Sequence, residues 1–325
     1  MDEKFKEELK HYNSIKNCAV SAFNHEEFDK ALDYIHAAAS IAWRHHLGIW
    51  YDDDLESLLF KIGNSLQDKT IPIKSKKGKK NAYIATNIKD IGGNPEVLKQ
   101  WSKLLKSNFE EQDLYITHSY TSYTPITYSS GFLDDTELNV HEFSFRDSNI
   151  KRIKELIRAL SNDSPENIFL FIEPSDVIAI PAIYALNKKP KVIFFNHSDH
   201  SFWLGRNVMD YLIDLRDEGV KYSRENRHIN NSYIVPITTD IKPKLTTENK
   251  WGISKDSTVS VSIGSFYKVL GDPQINFFDI IEELLNEFPD HYHIFITNPP
   301  SRDILEDYID DPDIMERFII DGPYS

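Results

Sequence analysis

One cysteine, Cys18, in 325 residues excludes an intrachain disulfide and any cysteine-based metal cluster. No window approaches the roughly 18 consecutive apolar residues of a membrane-spanning helix. The start, Met1-Asp-Glu-Lys-Phe-Lys-Glu-Glu8, is charged where a signal peptide would be apolar. Positive charge is also scarce, since 37 Lys and Arg stand against 51 Asp and Glu for a formal net charge of −14. A surface of that sign repels nucleic-acid phosphates and anionic headgroups, so neither is expected as a main partner, although a local basic patch can still hold a small phosphorylated ligand. These absences predict a cytoplasmic protein without a transmembrane segment. What is present, 40% hydrophobic and 12% aromatic residues, suffices for packed interiors, and the length suits two domains.

Residues 2 to about 65 read as helical. Phe28, Ala31, Leu32, Ile35, Ala38, Ala39, Ala42 and Trp43 make one stripe over 26–46, and Asp52 to Asp54 can cap a third helix through Ile62. Such a unit resembles a helical-hairpin repeat, but a single copy makes no array. His36, His45 and His46 read as surface or packing residues. A linker, 66–80, holds Pro72 and the basic run Lys74 to Lys80, which reads as a solvated loop at this net charge.

From Asn81 strands alternate with helices: strands at 82–87, 114–118, 168–172, 192–195, 211–215 and 233–237, helices from 97 through Leu105, at 149–160 and at 175–186. That alternation predicts a parallel sheet with right-handed crossovers, a Rossmann-like domain over 81–240. After a Pro-, Thr- and Lys-rich break at 236–255 it restarts with strands at 258–263, 293–297 and 317–320 and helices at 276–286 and 301–309. The expected organisation is therefore α/β: a helical segment (1–70), a first Rossmann-like domain (81–240) and a partial second one (255–325). Three strands make a small sheet, so the second domain is expected to be incomplete or finished by another chain.

The candidate chemistry clusters after Val192 to Phe195. This strand reads as buried on both faces, and Asn196-His-Ser-Asp-His-Ser-Phe-Trp-Leu-Gly205 follows it. In open α/β sheets ligands bind at the strands' carboxyl ends. His197, Asp199 and His200 are therefore candidates for proton transfer or for hydrogen bonding a sugar hydroxyl. A metal site is a second reading, weakened because one short loop supplies all the ligands; a purely structural loop is a third. Asp199 could orient one imidazole, and Phe202 and Trp203 could anchor the loop or stack on a ligand. His118 ends another strand. Gly92-Gly93 and Gly264-Ser-Phe-Tyr-Lys268 each follow a domain's first strand, where glycine admits a phosphate close to the backbone, Ser265 offers a hydroxyl and Lys268 a cation. A plain turn and a solvated lysine are the bland alternatives.

Asp90-Ile-Gly-Gly-Asn-Pro-Glu-Val-Leu98, Pro174-Ser-Asp-Val-Ile-Ala179, the Asn196–Gly205 segment and Gly264-Ser-Phe-Tyr-Lys268 together resemble a GT-B glycosyltransferase, nearest to glycosyltransferase family 4. The resemblance covers 81–325. It implies a nucleotide-sugar donor between two Rossmann-like domains, with the acceptor held mainly by the first, near His118 and Trp203. By that analogy Gly92, Gly93, Gly264 and Ser265 approach the donor and Lys268 neutralises its diphosphate, with no metal and no cofactor. His197 or His200 then lies near the transferred sugar. Such enzymes carry two glutamates seven residues apart later in the second domain, and an arginine near the glycine turn; here Ser262, Ser265 and Tyr267 occupy that turn. The sequence is therefore expected to be a transferase lacking part of its donor site. The alternatives are a non-catalytic glycosyltransferase-like binding subunit and a sugar-nucleotide epimerase.

Overall fold

The computed structural model describes residues 3–70, 79–88, 93–119, 136–237, 250–270, 276–297 and 300–322. The chain divides into two compact units, residues 1–239 and 240–325.

The first unit opens with three helices, α1 (Glu3–Asn24), α2 (Phe28–Arg44) and α3 (Asp53–Ser65). Asp52 caps α3, its carboxylate accepting from the backbone of Asp54 and Leu55, and the same carboxylate takes the Tyr12 hydroxyl at 2.6 Å and the Lys16 ammonium at 2.9 Å. These helices share one hydrophobic core with the following sheet. A close approach is made at Gly63 in α3. A Cβ there would lie 2.5 Å from the Pro181 carbonyl oxygen and 2.8 Å from Tyr184 Cβ. Gly63→Ala is therefore expected to destabilise by about 1–3 kcal/mol, although alanine in a helix is otherwise favoured by about 1 kcal/mol. Urea unfolding checks this, and a stabilised variant would show that the two helices can part freely.

Next come β1 (Lys80–Ala85), α4 (Gly93–Leu105), β2 (Glu111–Ile116), β3 (Asn139–Glu142), α5 (Asn149–Asp163), β4 (Asn167–Phe171), α6 (Ala179–Tyr184), β5 (Lys191–Phe195), β6 (Tyr211–Asp214), α7 (Asp217–Glu225) and β7 (Ser232–Ile234). They form a seven-stranded sheet in the order β3-β2-β1-β4-β5-β6-β7, with every pair parallel. The period of two sorts the side chains: Ala82, Ile84, Ile168, Leu170, Val192 and Phe194 join the core shared with α1–α3. Tyr83, Ala85, Phe169, Phe171 and Phe195 fill the other face under α4, where the Trp101 ring meets Phe169, Phe171 and Phe195 edge-on.

The second unit contains β8 (Thr258–Ile263), α8 (Phe266–Val269), α9 (Phe277–Glu287), β9 (His291–Ile296), α10 (Pro312–Arg317) and β10 (Phe318–Asp321). Its sheet is parallel, in the order β10-β9-β8. Phe278, Ile281, Leu285, Phe295, Leu305, Ile309, Ile314 and Phe318 make its core. His293 is 2% exposed there; its Nδ1 lies 2.7 Å from Ser260 Oγ, and Nε2 is sealed without a partner. Burial pushes its pKa down to about 4, with His291 adding to the shift. The folded protein thus prefers the neutral ring, so His293 favours folding fully above pH 6.5 and this support fades as pH falls toward 4. About 3 kcal/mol is at stake. Calorimetry from pH 7 to 4 should show His293→Gln losing less stability than the wild type; parallel curves would refute it.

Several elements differ from the sequence reading. The helix expected at 175–186 spans only Ala179–Tyr184, because Asp176 turns the preceding residues into a cap. Strand β3, Asn-Val-His-Glu, and helices α7 and α10 have no counterpart in that reading. The helix expected at 301–309 is a 3-10 segment, Asp303–Asp307. The basic run at 74–78 and most of the 236–255 linker lie outside the described residues. Among the described residues no helix is long and apolar enough to cross a membrane.

Candidate functional site

The register of the first sheet brings several strand ends level. Ala85 pairs with both Ile116 and Phe171, Leu170 with Phe194, and Phe195 with Ile213. The residues one or two steps beyond are Thr86, Thr117, His118, Glu173, Asn196 and His197. This is the carboxyl edge at the point where strand order reverses around β1, where ligands gather in such sheets.

The floor of that edge is hydrogen-bonded within itself. Asp176, fully buried, accepts the hydroxyls of Thr86 and Thr117 on one oxygen, each at 2.6 Å. Its other oxygen takes the backbone N–H groups of Ile178 and Ala179. Thr86 Oγ1 in turn accepts from Glu173 N at 2.8 Å. Arg152, 5% exposed, donates to the carbonyls of Thr117 and His118. His118 has the left-handed backbone (φ 47°), and its Nε2 lies 2.6 Å from Glu142 at the end of β3. Its ring is 5% exposed with Nδ1 sealed, so it already has a partner in this edge.

The loop after β5 is held from several sides. Asn196 donates to Asp214 Oδ1 at 2.6 Å, and Leu204 N donates to the Pro174 carbonyl at 2.9 Å. Arg216 grips Asp199 with two hydrogen bonds, at 2.7 and 2.9 Å. Burial works against the Asp199 charge, but Arg216, joined by His200, brings its pKa below the usual carboxylate range. Arg227, with no exposed surface, donates to the carbonyls of Asp199 and Ser201. Burial lowers its pKa to about 10, which leaves it charged at neutral pH.

On this frame His197 is part-buried beside Phe195, with Nδ1 sealed and without a hydrogen-bond partner among the described residues. Burial holds its pKa below the ordinary histidine value; the Glu173 carboxylate pulls the other way. His200 is 58% exposed, with Nδ1 3.3 Å from Asp199. The structure therefore brings together His197, Asp199, His200 and Glu173. Glu173, two residues past the end of β4 in Phe-Ile-Glu-Pro-Ser, has no place in the sequence reading; its one signal is a lone carboxylate beyond a strand's carboxyl end. Trp203 is a correction. The ring is 1% exposed, stacked on Phe194 at 4.6 Å and covered by Arg227, so no face is open to an acceptor. Asp199, too, is engaged chiefly by Arg216 rather than by an imidazole.

Gly93 begins α4, and a Cβ there would meet nothing within 4 Å; Gly92 lies outside the described residues. In the second unit Gly264 follows β8 directly and Ser265 is the N-cap residue of α8, its carbonyl taking the Lys268 N–H at 3.0 Å. A Cβ on Gly264 would meet only Lys268 Cδ, at 3.9 Å, and Lys268 is exposed. Among the described residues no group of three or more His, Cys, Asp or Glu is placed to hold a metal ion.

No protein-family model matches the sequence, and no curated protein does. Solved structures do resemble it. A lipopolysaccharide outer core galactosyltransferase, WaaB in its apo form, aligns over 76% of this chain and 68% of its own, at 16% identity and a TM-score of 0.52. The S. aureus MnaA–UDP co-structure aligns over 76% and 69% at 13% identity, TM-score 0.50. A putative UDP-N-acetylglucosamine 2-epimerase from Listeria monocytogenes aligns over 77% and 70% at 11% identity, TM-score 0.50. At these identities the likeness is one of fold. The chain has the GT-B-like pair of Rossmann-type domains, an architecture found in glycosyltransferases and in epimerase-like proteins.

Proposed function

We propose that this chain is a cytoplasmic glycosyltransferase, akin to family 4, that moves a sugar from a nucleotide-sugar donor to a hydroxyl of a glycan acceptor. The observation that carries the reading is His197, a part-buried imidazole at the carboxyl edge of a parallel sheet, within electrostatic reach of the Glu173 carboxylate. A neutral ring there can hydrogen-bond or deprotonate a sugar hydroxyl, and with Nδ1 sealed, Nε2 is the atom for that task. Glu173 would stabilise the imidazolium as the proton arrives. Gly93, Gly264 and Ser265 would admit the donor phosphates, and Lys268 would meet the leaving diphosphate in place of a metal. His200 lines the acceptor side in this reading, and His118, 5% exposed and bonded to Glu142, supports that edge without meeting the acceptor itself.

The second reading is a sugar-nucleotide epimerase, favoured by the Listeria neighbour and by the same imidazole–carboxylate pair, which could remove a proton from a sugar carbon. One experiment separates them: the protein is incubated with a panel of UDP-sugars, with and without mixed glycan acceptors, and products are resolved by mass spectrometry and NMR. Transfer or donor hydrolysis that falls in Lys268→Ala supports the first; a new sugar epimer without acceptor supports the second. No affinity for any nucleotide would leave a binding subunit.

A further inference from the structure

The α2–α3 connector and the first turns of α3 lie against the histidine-bearing loop, and their contacts are specific. Glu56, 1% exposed on α3, points its carboxylate at that loop: Oε1 accepts the backbone N–H of Gly205 at 2.6 Å and of Arg206 at 3.2 Å, and Oε2 that of Asn207 at 3.5 Å. The Arg227 guanidinium lies over the Trp50 ring, 4.7 Å from its centroid, and over the Trp203 ring at 4.9 Å. Arg227 is the side chain that fixes the carbonyls on either side of His200. The His46 ring lies 6.1 Å from the His200 ring. Arg206, the first residue past Gly205, stacks on Tyr51 at 4.1 Å and reaches Asp53 at 3.2 Å. On the neighbouring β4–α6 connection, His36 of α2 bonds the Ser175 carbonyl at 2.9 Å.

A surface appendage would bury apolar area against the sheet. It would have no reason to spend a buried carboxylate on three loop N–H groups. Gly205 itself is at φ +108°, so the loop turns there through a backbone that side-chain-bearing residues rarely adopt, directly at the Glu56 carboxylate. We infer that Trp50 and Glu56 are positioning residues: through Arg227 and the Gly205–Asn207 backbone, the N-terminal helical segment sets where His197 and His200 stand. It is thus part of the site, not a docking module for another protein. The inference rests on the transferase reading only for its kinetic consequence.

The test uses the full chain labelled with nitrogen-15 histidine, its ring signals assigned by single His→Gln variants. Trp50→Ala and Glu56→Ala should each move the ring signals of His197 and His200 and leave His25 and His293 in place, while Trp50→Phe and Glu56→Gln, whose amide oxygen can still accept from Gly205 and Arg206, should bring the first pair back toward wild type. In the two alanine variants UDP-sugar turnover should fall about 10- to 100-fold in kcat with KM within about twofold. His197 and His200 signals at wild-type positions in both variants would overturn the inference. So would movement of all twelve histidines together, the mark of general loosening. If Trp50→Ala does not fold, Glu56→Ala decides by the same signals. Absent turnover in the wild type would defeat the transferase reading, while the ring signals still decide the positioning role.

Discussion

His197→Ala is expected to lower kcat for sugar transfer by about 10²–10⁴-fold, the range for removing a general acid or base, and to leave the melting temperature nearly unchanged. The second half follows because no side-chain hydrogen bond is lost: the ring's Nδ1 has no partner among the described residues. His200→Ala should cost far less, because that ring is mostly in solvent and its contact with Asp199 is long. The pH profile gives a signed check. Burial holds His197 below the usual histidine range, so the active neutral ring is already formed at pH 7 and kcat should fall only as pH drops below about 6.5. Glu173 favours the charged ring, so Glu173→Gln should move that acid limb to still lower pH. Initial rates of UDP-sugar turnover between pH 4.5 and 8 decide it. Full turnover in His197→Ala, or an acid limb that ignores Glu173, would remove the imidazole from the chemistry.

The architecture was largely legible in the sequence because buried parallel strands advertise themselves. Tyr-Ile-Ala, Ile-Phe-Leu-Phe and Val-Ile-Phe-Phe are apolar on both faces, as a sheet packed on two sides requires. β3 escaped notice because an exposed edge strand needs no such pattern, and Asn-Val-His-Glu has none. α6 looked longer than it is because Ser175 and Asp176 read equally well as the first turn of a helix whose apolar run starts at Val177; only the partners of Asp176, at Thr86 and Thr117, show that it ends the loop. The site was half legible. His197, Asp199 and His200 share one loop and could be found by position, whereas the residues that give them their environment are remote: Arg216, Arg227, Glu173 and Glu56 reach it from other elements. Spacing carries no record of such contacts. It also misled on Trp203, since an aromatic ring in a polar loop reads equally as ligand platform or as core, and here it packs on Phe194.

Asp176→Ala should remove a large part of the first unit's stability. The carboxylate is fully buried and takes four hydrogen bonds, two from threonine hydroxyls at the ends of β1 and β2 and two from backbone N–H groups at the start of α6. It also offsets the charge of Arg152, whose own pKa burial drives down and Asp176 helps restore. Alanine leaves those donors sealed and the guanidinium less compensated, a loss of about 3–5 kcal/mol by the measure of broken buried pairs, against a domain stability of about 5–15 kcal/mol. Asp176→Asn separates the two causes. Its amide oxygen can still accept from Ile178 and Ala179, and its NH₂ can donate to hydroxyls that rotate to receive it, so the hydrogen bonds survive while the charge does not. If hydrogen bonding dominates, asparagine should cost only about 1–2 kcal/mol. If asparagine costs as much as alanine in urea unfolding, the electrostatic balance with Arg152 is what holds the carboxyl edge of the sheet together. Near-wild-type stability in both variants would mean that the threonines find other partners and that Asp176 does not anchor this edge.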